Sequence, residues 1–515
     1  MKSINKYTYW LIVPFLGLGC TELVDSALDA ESFDSPSAAG AATDPASQLQ
    51  GTYNQLNVIN DAAGIYALQE HPSDEMQGPT RGTDWSDFGV WRQLHLHAWD
   101  PSHAFIFNAW NILNTGQLRA TQVIEAANAT ESQVAAASFL RALYLFYLVD
   151  LYGQVPIRLD INDPSEIPTV LTRAAATELI IQDLEVAIAG LPRLAEINTG
   201  LASYEAAQLL KAKVYLNRAV FTSPNPVGPF EFTAEDMQQV INSVDEITNG
   251  SNLAISPSYW DNFIPTNRTA SSEIIFARRN EIGNAISSVE GRFRMTMHYN
   301  QAPGSGGGNN GFTTVSDFYD KWGDTEDERK GRALPGLTDR HGVRAGFLVG
   351  QQYNGAGEPL QDRGGNPLVF TPDVSLLYSN ERQGIRVIKY VPDPNNLQAG
   401  LIGTDFVILR YADAWLMKAE ALHRLGNSTE ALAMVNQLRT MREAEPLTTL
   451  TDESMLDERG FEMYWEGWRR NDQIRFGVFL QEWQNKPPSP EHAVLFPIPQ
   501  RAMDTNPNFV QNPGY

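Results

Sequence analysis

ESQVAAASFLRALYLFYLVDLYG, residues 131–153, decides the fold. Ala137, Leu140, Tyr144, Tyr147 and Leu151 keep the three-and-four spacing of one buried helical face. Gly153 stops that helix, and Pro156 lies just beyond. LTRAAATELIIQDLEVAIAGLP (171–192) repeats the pattern through Ile180, Leu184, Ile188 and Leu191 and ends at Pro192. SYEAAQLLKAKVYLNRAVF (203–221) does the same through Ala207, Leu210 and Val214. The many alanines let neighbouring helix backbones approach closely, so the pattern predicts stacked helical hairpins.

A helix is predicted again over 405–426, DFVILRYADAWLMKAEALHRLG, with Ala412, Trp415, Ala419 and Leu422 on one stripe. Ala431, Val435 and Leu438 of the next helix form the partner stripe, and Asn427 with Glu430 predicts a capping box. The pair resembles a tetratricopeptide unit. Residues 256–400 differ: short β-rich runs, EIIFARR (273–279) and RVIKYV (386–391), stand between Gly-, Asn- and Pro-rich loops. The closing LFPIPQRAMDTNPNFVQNPGY (495–515) is too rich in Pro and Asn for regular structure and is expected to lie extended on the surface. The predicted architecture is mainly α, a tetratricopeptide-like helical-hairpin scaffold with an irregular insertion of loops and short strands.

The chain has 515 residues, 43% of them hydrophobic and 10% aromatic, which excludes disorder as its overall state. Its net charge of −23 makes it a poor general binder of nucleic acid, because phosphate contacts need Lys and Arg. A single cysteine excludes an internal disulfide framework and a four-cysteine zinc site. That cysteine follows MKSINKYTYWLIVPFLGLG, a basic start and a short apolar run. The stretch resembles a bacterial lipoprotein signal with Cys20 as the lipidated residue, although Gly17 stands where an aliphatic residue is usual. No other segment is expected to cross a membrane. The predicted organisation is a signal over 1–19, a tether over 20–45, a helical part over 46–255, the insertion over 256–400 and a second helical part with its tail over 401–515. Residues 46–515 are expected to form one fold.

The sequence as a whole resembles the SusD/RagB family, surface lipoproteins of Bacteroidota that bind nutrients beside a TonB-dependent channel. Six segments carry the likeness in order: SFLRALYLFYLVDLYGQVPI (138–157), IIQDLEVAIAGLP (180–192), RYADAWLMKAEALHRLG (410–426), ERGFEMYWEGWRRNDQIRFG (458–477), LFPIP (495–499) and NPNFVQNPGY (506–515). The resemblance implies four tetratricopeptide-like hairpins, a lipid-anchored protein facing the cell exterior from the outer membrane, an oligosaccharide or polysaccharide ligand and a SusC-like channel partner. The RagB branch implies peptide uptake as an alternative. A surface glycoside hydrolase and a protein-binding scaffold also stay open.

Glu462, Glu466, Arg469, Arg470, Asp472 and Arg475 look like a charged active site, but their i,i+3 and i,i+4 spacing predicts a helical ion-pair network. Nothing in the sequence singles out the carboxyl pair that glycoside hydrolysis needs. His95, His97 and His103 lack a visible full ligand set for zinc. Gly306, Gly308 and Gly311 fit G-x-G-x-x-G without the strand and helix of a dinucleotide site. The acidic run DKWGDTEDE (320–328) lacks EF-hand spacing. No catalytic residue, metal or cofactor is expected. Exposed aromatics are the remaining signal. A sugar presents apolar C–H faces and a rim of hydroxyls, which aromatic rings and polar side chains complement. Within QEHPSDEMQGPTRGTDWSDFGVW (69–91), a long Pro- and Gly-broken loop, Asp84, Trp85, Asp87 and Trp91 offer both, beside Phe88. Tyr299 and Asn300, with Trp322 beyond the Gly-rich APGSGGGNNGF (302–312), complete the candidate ligand residues.

Overall fold

Helix α5 (Glu131–Leu151) begins where Thr130 and Gln133 cap each other. The Thr130 hydroxyl accepts the Gln133 N–H, and the Gln133 side chain accepts the Thr130 N–H at 2.9 Å. Small residues then set the spacing to its neighbours. A β-carbon added at Gly116 of α4 (Ala104–Ile124) would lie 2.7 Å from the Tyr144 ring. One at Gly190 of α6 (Arg173–Gly190) would lie 2.8 Å from Ala135. Phe139, Leu143 and Phe146 are wholly buried, Phe139 against Phe276 and Phe146 against Phe221 and Trp468. Each contributes about 1.5–3 kcal/mol relative to exposure. By length and composition α5 could cross a bilayer, against the expectation that no such segment follows the signal; here 89% of its apolar window is buried in protein, as in a core helix.

The computed structural model describes residues 44–515, except 162, 164, 282–288, 302–306, 324–325 and 396–401. Cys20, the signal and the tether up to residue 43 lie outside the described residues, as does Gly306, while Asp44 and Pro45 already belong to the first helix and its cap. Helix α1 (Pro45–Asn54), capped by Asp44, packs on α4 and α5. Helices α2 (Ile65–Glu70) and α3 (Val90–His95) flank the aromatic loop. The stack continues through α7 (Tyr204–Thr222) and α8 (Ala234–Thr248).

The short helices α9 (Asn267–Ala270), α10 (Glu290–Arg294), α11 (Ser316–Asp320) and α12 (Thr338–His341) punctuate the insertion. Its strands form small sheets. β4 (Gly331–Arg332), β5 (Ala345–Leu348) and β8 (Arg386–Ile388) form one antiparallel ribbon, with Phe347 opposite Val387. β6 (Gly350–Gln351) pairs with β7 (Val369–Phe370). Outside the insertion, β1 (Val155–Ile157) pairs with β2 (Thr169–Leu171).

The chain returns to the helical stack through a strand. β9 (Phe406–Arg410) pairs antiparallel with β3 (Ile274–Arg278), and α13 (Tyr411–Arg424) starts only after it. The helix predicted from 405 is therefore corrected. FVIL is apolar without a break, and periodicity cannot separate a buried strand from a buried helix there. Helix α13 packs on α7, α8 and α14 (Ser428–Met441). Asn427 is the N-cap of α14, but its side chain makes no capping hydrogen bond, so the capping box is absent.

The segment read as one charged helix is two. α15 (Asp452–Met463) and α16 (Arg469–Arg475) are separated by a turn in which Trp465 (φ 58°) and Gly467 (φ 85°) are left-handed. The ionic network is present, but its partners are mostly remote in sequence. Arg410 bonds Glu273, Glu462 and Glu466; Arg469 bonds Asp74; Arg470 bonds Asp150. Only Asp472 with Arg475 keeps the expected i,i+3 pairing. The C-terminal stretch also differs from expectation. Phe496 and Ile498 are buried, and α17 (Gln500–Thr505) follows them.

Candidate functional site

The aromatic loop is built on a buried arginine. Arg81 donates to the carbonyls of Gly311, Asn380 and Gln383, so it fastens three segments at once. Burial lowers its pKa to about 9. Arg81 and Asp84 exchange backbone hydrogen bonds at 2.9 Å, turning the chain at Gly82. Beyond the turn, Trp85 (φ 62°), Asp87 (φ 33°) and Phe88 (φ 53°) are all left-handed. Such backbone costs about 1–3 kcal/mol per residue and persists only when neighbours enforce it.

The neighbours are aromatic. The Trp85 ring packs 5.0 Å from Phe312 and 6.0 Å from Trp91, centroid to centroid, and its Nε1–H donates to the Asn309 carbonyl at 2.8 Å. Its indole remains partly exposed. Trp91 lies deeper, at 7% exposure, against Phe105, His71 and Phe312. Its Nε1–H donates to Asp87 at 2.8 Å. Trp91 thus supports the surface rather than forming it, because its indole is covered, while Asp87 is exposed and holds that indole through one carboxylate oxygen. Phe88 projects fully into solvent at 104% exposure.

Tyr299 closes the other side. Its hydroxyl donates to Asp84, and the Arg363 guanidinium lies over its ring at 3.9 Å. Burial, then the Asp84 carboxylate, pushes the Tyr299 phenol up to about 12. Arg363 also reaches Asp84 at 3.4 Å and donates to Glu381 at 2.5 Å. His298 bonds the other oxygen of Glu381 at 2.9 Å. Asn300 is exposed and donates to the Gln361 carbonyl at 2.7 Å. The fold therefore brings Asp84, Trp85, Tyr299 and Asn300 together from two distant stretches.

Trp322 is a correction. It is 4% exposed and packs on Phe461 at 4.5 Å, Phe347 at 5.4 Å and Tyr464 at 5.8 Å. Its place is the seam between the insertion and α15, where its apolar area is better buried. Phe88, Asn309, Arg363 and Glu381 were not among the predicted site residues. The signal for Phe88 was in its setting, a large aromatic between Asp87 and Gly89. Nothing in the sequence marks Arg363 or Glu381, whose roles depend on the insertion folding back onto Asp84.

Residues 272–493 match the model of the SusD family. The starch-binding protein SusD of Bacteroides thetaiotaomicron is 26% identical over 430 residues, spanning 75% of this chain and 73% of its own. The chain is thus similar to the SusD family over that segment and to this relative along most of its length. Its fold agrees with solved SusD-superfamily structures. One from Parabacteroides distasonis superposes with a TM-score of 0.70 at 19% identity, covering 92% of this chain and 98% of its own. A laminarin-binding SusD-like protein does so with 0.66 at 20% identity, covering 92% and 99%.

At this surface aromatic rings stand beside carboxylate, amide and guanidinium groups, which suits a ligand with apolar faces and a polar rim. A general acid for glycoside cleavage needs a raised pKa. Glu381 runs the other way: burial opposes ionisation, but bonds from Arg363 and His298 hold it below the usual range. Among the described residues no three His, Cys, Asp or Glu side chains converge to hold a metal. His95 and His97 are buried, neutral-favouring and bonded to the carbonyls of Gln484 and Pro72.

Proposed function

We propose that the protein is a non-catalytic, cell-surface glycan-binding lipoprotein that captures oligosaccharide or polysaccharide and passes it to a TonB-dependent, SusC-like channel. In this reading Cys20 carries the acyl anchor at the outer membrane. The observation that carries the binding is the partly exposed indole of Trp85, in a loop that also exposes Phe88 and whose Asp84 is hydrogen-bonded by Tyr299. One relative is a starch-binding protein and one structural neighbour binds laminarin, which supports a glycan over a peptide. The site is shallow and must release its cargo, so affinity is expected in roughly the micromolar to millimolar range.

Affinity gels of laminarin, starch, xylan, mannan and pectin, with reducing-end release measured in parallel, test this. Retardation without release supports the proposal. Release points to a hydrolase, and neither points to peptide or protein recognition. Trp85→Ala should weaken binding of the retained polymer by about 1–3 kcal/mol, the range for an aromatic anchor. Some stability should be lost with it, because the same ring also pins the loop to Asn309 and Phe312.

A further inference from the structure

Residues 375–379 form a turn that its own serines hold shut. Ser379 Oγ donates to the Ser375 carbonyl at 2.8 Å and accepts the Ser375 N–H at 3.0 Å, while Ser375 Oγ accepts the Tyr378 N–H at 3.2 Å. The turn presents Leu377 at 51% and Tyr378 at 84% exposure. A turn this well bonded has no need of an outward tyrosine, and its polar atoms are satisfied without one. The Tyr378 ring is large, apolar on both faces and open to solvent.

The turn is also fixed to the root of the aromatic loop. Thr80 donates its N–H to the Leu376 carbonyl at 2.9 Å and accepts the Ser379 N–H at 3.2 Å, so Tyr378 lies between two anchor points on one residue. The Thr80 hydroxyl donates to the Trp85 carbonyl at 3.3 Å. Arg81 ties the following residue, Asn380, to Gly311, on which Trp85 lies. Tyr378 and Trp85 are thus each about one hydrogen bond from Thr80. Chain geometry puts their Cα atoms within roughly 15 Å of one another. That span is within reach of a short chain of sugar rings.

We propose that Tyr378 is a second, distal aromatic contact for the same ligand, and that the site therefore selects glycans long enough to bridge Trp85 and Tyr378. The inference rests on reading the Trp85 surface as a glycan site. Two aromatic platforms held on one rigid root raise affinity with chain length, because the second contact adds little further ordering of the protein.

Laminari- and malto-oligosaccharides of graded length, with laminarin and starch, test it by calorimetry on the soluble protein. Wild-type affinity for the bound series should rise with length and then level off. Tyr378→Ala should lose about tenfold on the long members and the polymer and leave the shortest bound member unchanged. Trp85→Ala should weaken all lengths, and Tyr378→Phe should behave as wild type because a ring remains. The melting temperature of Tyr378→Ala should not move, since the side chain is exposed. Equal affinities of wild type and Tyr378→Ala at every length would overturn the distal contact while leaving glycan binding intact. A wild-type protein that bound no member of the polysaccharide panel would overturn the glycan reading and this inference together.

Discussion

The indole of Trp85 lies on the backbone of Gly311: a β-carbon added at residue 311 would sit 2.4 Å from Cζ2 of the ring. No side chain tolerates that approach, so Gly311→Ala must push the indole outward and break its bond to the Asn309 carbonyl. Trp85 is at the molecular surface and can swing, so the core need not move. Glycan affinity should fall about tenfold or more, with a stability loss of about 1–3 kcal/mol or less. Calorimetric titration and thermal melting on one preparation check this. Unchanged affinity would mean that the position of the indole does not matter to the ligand.

Glu462 is the hub of the buried ionic web. Its carboxylate takes bonds from Arg410 at 2.7 Å, Arg442 at 2.9 Å and Arg329 at 3.1 Å, all four side chains fully buried. Glu462→Gln leaves surplus positive charge in a dry interior and should destabilise by about 3–5 kcal/mol. The exposed pair of Arg332 with Glu443, at 3.4 Å, is the control. Glu443→Gln should change stability by about 1 kcal/mol or less. Equal denaturation midpoints for the two variants would contradict the structural role of the web.

The helices were legible because their buried faces repeat along the chain: Leu140, Tyr144 and Tyr147 are close neighbours in sequence and in space. The web was legible only as a set of charges. Glu466 and Arg469 have helical spacing, but the left-handed Trp465 and Gly467 break the helix between α15 and α16, and each charge finds its partner elsewhere. Trp85 could be read as surface because charged neighbours oppose burial. Trp322 has similar neighbours in Lys321 and Gly323, yet it is buried by Phe347 and Phe461, which only the folded insertion brings to it. Exposure fixed by local composition was thus readable, and burial fixed by long-range closure was not.

Acid should unfold the protein through the same web. Arg475 and Arg424 overcome burial and hold the Glu420 carboxyl at about 2; Arg459 and Arg475 do the same for Asp472, also at about 2. Both folded values lie below the unfolded ones near 4. The folded state therefore binds these protons less tightly, and the stabilisation is complete above about pH 4 to 5 and lost as pH falls toward 2. Each group contributes on the order of 3 kcal/mol. Denaturant midpoints should drop steeply from pH 4.5 to 2.5, and Glu420→Gln should lower stability at pH 7 while flattening that drop. A wild-type midpoint constant to pH 2.5 would show that these carboxyls bind protons alike in the folded and unfolded protein.

At neutral pH the opposite sign applies at Glu70. Glu70 Oε1 accepts the Gly467 N–H at 2.5 Å, and Glu75 Oε2 accepts the Trp465 N–H at 2.9 Å, so the two carboxyls hold the strained turn after α15. Their other oxygens, Oε2 of Glu70 and Oε1 of Glu75, are buried and have no donor. Burial raises both groups, and Glu70 reaches about 7; Arg292, Lys389 and Arg469 face the pair, but Arg469 is already bound by Asp74. Here the folded state binds the proton more tightly than the unfolded chain. The contribution of Glu70 to stability is greatest below about pH 4.5, falls as pH rises toward 7 and is lower by on the order of 3 kcal/mol above it. The protonated Glu70 carboxyl can donate to Glu75, and Glu70→Gln keeps an oxygen for Gly467 while placing an amide donor on that side. It should therefore match or fall slightly below wild type at pH 5 and exceed it at pH 8. Urea denaturation of both proteins across that range checks the crossing, and parallel curves would remove the protonated carboxyl from the account of this turn.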